Sequence, residues 1–439
     1  MEGAGATIYA PATAAGRAAI GVLRISGPAC ARAIRALTGR PPPEARRAVL
    51  RRLRDPESGE AIDRGLVLFF PGPRSYTGED LAEIHHHGGT AVLRALLEAL
   101  ARIPGLRLAE PGEFTRRAFL NGRLDLSEAE AVADLVEATT RAQARLALRQ
   151  LEGALGKRVE DWRARLVAVV AEVEAEIDFA AEEGDVAARL GRRIEEELAA
   201  LEGEIRATLD DDRRGERLRA GLVVAVTGPP NVGKSSLVNR LAGRDVAIVT
   251  PVPGTTRDVL EVALELDGLP VTLLDTAGLR ETADPIEAEG VRRARLRAET
   301  ADLRLWLVEA EDEGKWPEPQ PDSLLVVNKI DLVRPRQLPR GGIAISCATG
   351  EGIEELVGAL GCRVRELVGT GSEAVITRAR HREALEETAR ALARARGASE
   401  LALLAEDLRL AARALGRISG RVDVEQVLDQ IFARFCIGK

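Results

Sequence analysis

Leu222-Val-Val-Ala-Val-Thr-Gly228-Pro-Pro-Asn-Val-Gly233-Lys234-Ser235 is the most telling stretch of the chain. Six residues of apolar, β-branched character end in the spacing G-x4-G-K-[ST], and the helical pattern SSLVNRLAG follows at once. The strand–loop–helix setting is what a phosphate-binding loop requires. Glycines let successive backbone N–H groups curl round a phosphate, Lys234 brings a point charge, and Ser235 a hydroxyl for magnesium. A Gly-rich turn with no ligand is the plain alternative, and the flanking strand and helix argue against it.

The companion motifs lie downstream in the same order as the strands. Thr255-Thr256, inside TPVPGTTRD, offers a hydroxyl that can close on magnesium when a triphosphate is present. Asp275-Thr276-Ala277-Gly278 ends the run VTLLD and brings a carboxylate near magnesium and a small residue near the γ-phosphate. Asn328-Lys329-Ile330-Asp331 ends SLLVVNKID. Asp331 can accept from the two N–H groups that guanine presents and adenine lacks, the Asn328 amide can meet O6 or N7, and the Lys329 stem can cover the ring. These four motifs predict a GTP-hydrolysing domain. Leu279 stands where a Ras-type enzyme keeps a water-orienting glutamine, so hydrolysis must draw on another group. Arg280, Glu281, Asp284, Glu287 and Glu289 are within range, and spacing does not choose among them.

The whole chain has 439 residues, room for two to four domains. Strands and helices alternate over residues 221–365, the pattern of a doubly wound parallel sheet. On either side, roughly 126–219 and from 376 onward, Ala, Leu, Glu and Arg recur at helical spacing. Amphipathic helices must bury their stripes, so the two blocks are expected to pack together with the α/β block inserted between them. Residues before 119 mix short strands (TIYAPA, AAIGVLRISG, RGLVLFF, EDLAEIHHHGG) with a helix over Thr90–Arg102, and Arg40–Arg54 reads as a surface loop leading into a strand.

Composition narrows the function. No uncharged apolar run is long enough to cross a membrane, and the N-terminus lacks the layout of a secretory signal. Cys30, Cys347, Cys362 and Cys436 are too scattered for a zinc finger or a disulfide framework, which suits a reduced cytoplasm. With a net charge of −7, nucleic acid must be met locally. Only five of the 62 basic residues are lysines, and asparagine occurs only at 121, 231, 239 and 328. Positions that keep these types in such a background point to a need for an ammonium or an amide.

NVGKSS, TPVPGTTRD and DTAGLRE, the terminal Phe435-Cys436-Ile437-Gly438-Lys439, and the N-terminal GRAAIGVLRISG, SYTGEDLAEIHHHGG and PGEFTRRAFLNGRLDLSEAEAVADL together give the whole length a likeness. The chain resembles the MnmE (TrmE) family of tRNA-modification GTPases. The resemblance implies a multidomain α+β and α/β chain: an N-terminal α+β folate-binding and dimerisation domain (1–118), a helical domain in two parts (119–215 and 373–439), and an inserted P-loop GTPase domain with a mostly parallel doubly wound sheet (216–372). It further implies a cytoplasmic homodimer that works with the flavoprotein MnmG. Together they place an aminomethyl or carboxymethylaminomethyl group at C5 of the wobble uridine of certain tRNAs, the carbon coming from a reduced folate (5-formyl- or methylene-tetrahydrofolate).

The resemblance also implies site residues. Folate would be met by Arg24, Glu79, Arg123 and Lys439; the family often has Lys where Arg123 stands. GTP would be met by Asn231, Val232, Gly233, Lys234, Ser235 and Ser236, by Thr250, Pro251, Val252, Pro253, Gly254, Thr255 and Thr256, by Asp275, Thr276, Ala277 and Gly278, and by Asn328, Lys329, Asp331, Ser346, Cys347 and Ala348. Magnesium falls to Ser235 and Thr256. Potassium falls to the Asn231 side chain, main-chain oxygens of Thr250 and Val252, and Thr255. The family's catalytic glutamate corresponds to Glu287, with Lys234 and Asn231 assisting, and hydrolysis is activated by potassium and by pairing of two GTPase domains. Cys347 departs from the family, which has alanine in its Ser-Ala-Lys or Ser-Ala-Arg loop.

Other features have plainer readings. His85 and His87 share a strand face but no third ligand for a metal is evident. The arginine clusters at 213–219 and 378–382 read as solvated helix ends, a few of which could meet tRNA phosphates. Cys436 is a small apolar filler, a nucleophile or a substrate-contacting thiol. The rival function is a ribosome-assembly or RNA-binding GTPase switch, which leaves the CxGK tail unexplained.

Overall fold

The computed structural model describes residues 5–179, 184–244, 261–276, 296, 298–318, 320–369, 375–422, 425–433 and 435–438. They form two compact units, one of residues up to 133 with 156–165 and 412–439, the other of 134–155 with 166–411.

In the first unit the alternating runs become strands β1 (Thr7–Pro11), β2 (Ile20–Ser26), β3 (Val49–Arg54), β4 (Ala61–Phe70) and β5 (Leu81–His87), joined by a short β6 (Leu106–Leu108). They order as β3-β4-β5-β2-β1-β6, antiparallel except where β6 runs along β1. Strand period fixes the faces. Leu23, Ile25, Val67 and Ile84 point inward against α1 (Cys30–Thr38) and α2 (Thr90–Ala101), which contribute Ile34, Leu37, Leu96 and Leu100. The opposite face carries Ile20, Leu50, Leu66 and His85, linked by the register Leu50↔Leu66↔His85. Helix α1 was not among the expected elements, although Cys30, Ala33, Ile34 and Leu37 have helical spacing. Further on come α3 (Glu113–Leu120) and α4 (Leu126–Glu137). Near the C-terminus, Leu428, Phe432 and Phe435 close over Leu126 and Ala129.

In the second unit, β7 (Leu222–Thr227) is central to a sheet ordered β12-β11-β10-β7-β9-β8. Its partners are β10 (Leu303–Glu309) and β9 (Leu269–Asp275), both parallel, and only β8 (Glu261–Leu266) runs antiparallel. β11 (Ser323–Asn328) and β12 (Ile343–Ala344) complete it. The inner strands β7, β9, β10 and β11 are mostly apolar because both faces are covered, whereas the edge strand β8 keeps Glu261 and Glu265. Helices α5 (Arg141–Leu151), α6 (Ala154–Phe179), α7 (Gly184–Leu209) and α8 (Arg214–Ala220) precede the sheet; α9 (Lys234–Ala242) lies in the connection from β7 to β8, and α10 (Ile353–Val368) and α11 (Ala379–Arg396) follow the last strand. α12 (Leu401–Ser419) begins in this unit and ends in the first, to which α13 (Glu425–Phe432) belongs.

Helices α7 and α11 lie together, Arg396 bonding Glu195 and Glu202. The arginine clusters are a correction to the solvated reading. Arg382 is buried on Asp211, Glu216 and the Leu209 carbonyl, Arg217 pairs with Asp302, and Arg219 and Arg378 both reach Asp134. An arginine buries its stem readily and keeps its fork paired, and a charge pattern by itself does not show where the carboxylates fold.

Candidate functional site

The loop after β7 is shaped by its glycines. A Cβ on Gly228 would stand 2.3 Å from the Leu307 carbonyl oxygen, and one on Gly233 would stand 2.4 Å from Asn328 Nδ2, with φ at +141° and +102°. Neither position tolerates a side chain, and what remains is a bare backbone arc leading into α9. Asn231 takes φ +64°, a conformation asparagine visits more readily than most residues. Lys234 opens α9 almost fully buried, and its Nζ donates to the Gly228 and Pro229 carbonyls, both at 2.8 Å. Ser235 is half-buried beside it, Val232 is buried, and Ser236 and Asn231 are exposed. A backbone cradle with an ammonium at its rim fits a phosphate chain.

The base-side residues meet through one amide. Asn328, 2% exposed at the end of β11, donates from Nδ2 to the Val232 carbonyl at 2.8 Å and accepts at Oδ1 from the Cys347 N–H at 3.0 Å. It ties the phosphate loop to the loop Ser346-Cys347-Ala348, and the second N–H of the amide is the group left for a base. Ser346 donates to Asp331 Oδ1 at 2.5 Å and accepts from the Thr349 N–H at 3.1 Å, aiming the carboxylate. Arg240, from α9, donates to the Ala348 carbonyl at 2.8 Å. Lys329 has φ +67° and sends Nζ to Glu309 Oε1 at 2.6 Å. Glu309 was not among the expected residues: the sequence shows only a carboxylate ending the apolar run LRLWLVE, and the pairing with Lys329 follows from its register with Asn328. Burial pushes the Cys347 thiol up to about 11, so the thiol stays protonated at neutral pH.

Asp275 is buried at the end of β9, opposite Val226 of β7. The neighbouring Thr276 hydroxyl donates to the Val226 carbonyl at 2.7 Å, fastening this motif to the strand that feeds the phosphate loop. Thr250, Pro251, Val252, Pro253, Gly254, Thr255, Thr256, Ala277, Gly278, Leu279, Arg280, Glu281, Asp284, Glu287 and Glu289 lie outside the described residues, and so does Lys439.

A second cluster occupies the first unit. Arg24, on β2, donates to Glu83 Oε1 from Nη2 at 2.8 Å and reaches the Gly438 carbonyl at 3.5 Å. Its guanidinium lies 5.5 Å from the Tyr76 ring centroid and 5.7 Å from that of Phe114. Gly438 takes φ +99°, and a Cβ there would fall 2.0 Å from the Pro11 carbonyl oxygen; Ile437 bridges Pro111. The chain end is thus laid flat against β1 beside Arg24. Glu79 accepts from Ser26 at 2.8 Å and from Arg117 Nη1 at 3.0 and 3.1 Å. Behind it, Arg117 and Arg107 converge on buried Glu113. Arg123 is exposed, forms no ion pair among the described residues, and its stem flanks Gly78, next to Glu79. His87 bonds Asp63 at 2.7 Å, and no group of three metal-type ligands forms among the described residues.

Two family models match: "GTP-binding protein TrmE N-terminus" over residues 7–123 and "MnmE helical domain" over residues 126–436. A Parvibaculum lavamentivorans protein named tRNA modification GTPase MnmE is 59% identical over 99% of this chain and 100% of its own length. Proteins of the same name from a Methylobacterium species and from Rhodospirillum rubrum are 54% and 53% identical, each covering 99% of this chain and 99% of their own.

Proposed function

Because the chain belongs to the MnmE family of tRNA modification GTPases, we propose that it couples potassium-dependent GTP hydrolysis to wobble-uridine modification. Acting as a cytoplasmic homodimer with the flavoprotein MnmG, it helps place an aminomethyl or carboxymethylaminomethyl group at C5 of that uridine in certain tRNAs. No helix among the described residues is long and apolar enough to cross a membrane. One observation carries the nucleotide half of this reading: the Asn328 amide joins the phosphate loop to the loop that aims Asp331. Phosphate and base are then read by one rigid piece.

Within that piece Lys234 meets the β- and γ-phosphates, Asp331 selects guanine, and Lys329, held by Glu309, covers the ring. Ser235 and Thr256 are the magnesium ligands; Asn231, Thr250, Val252 and Thr255 are those of potassium. Bound, the two ions supply positive charge where the transition state gathers negative charge. Glu287 orients the attacking water in place of the glutamine that Leu279 displaces.

Arg24, Glu79, Arg123 and Lys439 hold a reduced folate, which supplies the carbon. Support comes from Arg24 and Gly438 lying within reach of each other, with Glu79 fixed nearby. Homodimerisation is supported by the open face of the first sheet, where Ile20 and Leu50 are 61% and 55% exposed.

GTP turnover measured in potassium and in sodium tests the reading. Wild type is expected to turn over faster in potassium, and Asn231→Ala to lose the difference; equal rates in both salts would remove the ion. Titration with a reduced folate should show saturable binding that Arg24→Ala abolishes. Nucleoside analysis of tRNA from a deletion strain, with the modified uridine still present, would sink the tRNA assignment.

A further inference from the structure

Arg219, just before β7, and residues 375–378, just before α11, are where the chain enters and leaves the nucleotide-binding sheet. Arg219 Nε donates to the Thr377 carbonyl at 2.8 Å, so the two crossings are bonded to each other. Both are also fastened to one side of the helical layer. Gln143 Nε2 donates to the Arg219 carbonyl at 3.1 Å, and Gln150 Nε2 to the Val375 carbonyl at 2.7 Å. At the hub, a single oxygen of Asp134 accepts from Arg378 at 2.7 Å and from Arg219 at 3.4 Å.

The two arms of the hub are unequal. The Arg378 arm is a short charge-assisted bond, while the Arg219 arm is at the limit of one. Between them and α5 lies a cavity of about 420 Å³, lined by Asp134, Gln143, Gln150, Arg219 and Thr377 among others. Gln150 is 3% exposed, and its Oε1 has no hydrogen-bond partner. A buried amide oxygen without a donor is costly, and a guanidinium in the same cavity can relieve it. Arg219 therefore has two acceptors within one cavity and room to pass between them.

Position makes this pair consequential. Three residues after Arg219 the chain becomes β7, which runs straight into the phosphate loop, and β9, ending at Asp275, is its neighbour. Any shift of β7 along its axis pulls on Arg219 first. We propose that Asp134 is a positioning residue of the GTP-dependent reaction: it holds Arg219 in one nucleotide state, Gln150 Oε1 receives Arg219 in the other, and the exchange carries the state of the sheet to α5. The inference rests on the GTPase reading above.

The test is amide hydrogen exchange on the full chain in potassium, with GDP and with a non-hydrolysable GTP analogue. Wild type should show an analogue-dependent change in α5 and in residues 375–378. Asp134→Asn should keep analogue affinity within about twofold while losing most of that change, and Asp134→Glu should restore it. A purely structural Asp134 would alter exchange equally with both nucleotides. An unaltered response in Asp134→Asn, or no nucleotide response in α5 of wild type, would overturn the proposal. If Asp134→Asn does not fold, Gln150→Leu decides. It removes the second seat, and with it the bond to the Val375 carbonyl, in a side chain of similar size; the response should be lost, and a retained response overturns the proposal equally. Failure of the GTPase reading would show separately, as no binding of the analogue.

Discussion

Asn328 Nδ2 lies 2.8 Å from the Val232 carbonyl oxygen, a buried bond spanning 96 residues of sequence. It makes the base pocket and the phosphate loop mechanically one. Asn328→Ala leaves the Val232 carbonyl and the Cys347 N–H unmatched as well as removing a base contact. Each stranded group costs about 1–3 kcal/mol. Guanine-nucleotide affinity should fall at least about tenfold, and the denaturation midpoint should drop even without nucleotide. Calorimetric titration with GDP and urea unfolding report the two effects; a loss of affinity with unchanged stability would mean that the tie carries no load.

Gly438 tests the seat of the chain end. Its left-handed φ and the carbonyl of Pro11, 2.0 Å from any added Cβ, leave no room for alanine. The backbone of β1 cannot give way, so Gly438→Ala should lift the tail off Arg24. Titration with a reduced folate is expected to show a weakening of about tenfold or more, equivalent to about 1.4 kcal/mol. Unchanged binding would detach the tail from the folate reading.

Glu113 sets an acid limit on the first unit. Burial pushes its carboxyl up, but hydrogen bonds from Arg107, the Glu110 N–H and Arg117 outweigh this and leave it below the ordinary range. A carboxyl that is harder to protonate folded than unfolded stabilises the fold above its unfolded value, about 4.3. That stability is lost as pH falls through the lower, folded value. Wild type should therefore weaken below about pH 4.3, whereas Glu113→Gln should be weaker by roughly 3 kcal/mol at pH 7 and flatter in acid. Unfolding measured from pH 7 to pH 3 checks both slopes.

The cysteines should separate by environment. Cys30 is buried with its thiol pushed up by desolvation, and Cys347 is raised to about 11 for the same reason. Cys362 and Cys436 are exposed. Brief alkylation at pH 7.5, read by mass spectrometry, should label the second pair well before the first. Early labelling of Cys347 would show that the loop at 346–348 opens.

What the order of residues made legible was local. G-x4-G-K-S after an apolar run, and carboxylates at strand ends, follow from backbone conformation and the chemistry of phosphate and guanine; both repeat wherever that chemistry is needed. The strands around Val22, Leu66 and Ile84 were legible because period 2 is written into neighbouring residues. Helix α1 was written there too, in Cys30, Ala33, Ile34 and Leu37 at i, i+3, i+4 and i+7 and in Gly39 at its end, but at nine residues it is too short to stand without the sheet it buries against. Tertiary structure alone decided which partners meet. No spacing rule brings Asn328 to Val232, Glu309 to Lys329, Gly438 to Pro11, or Arg219 and Arg378 to Asp134, because an ion pair or hydrogen bond depends on distances in space, and only the packed core sets those.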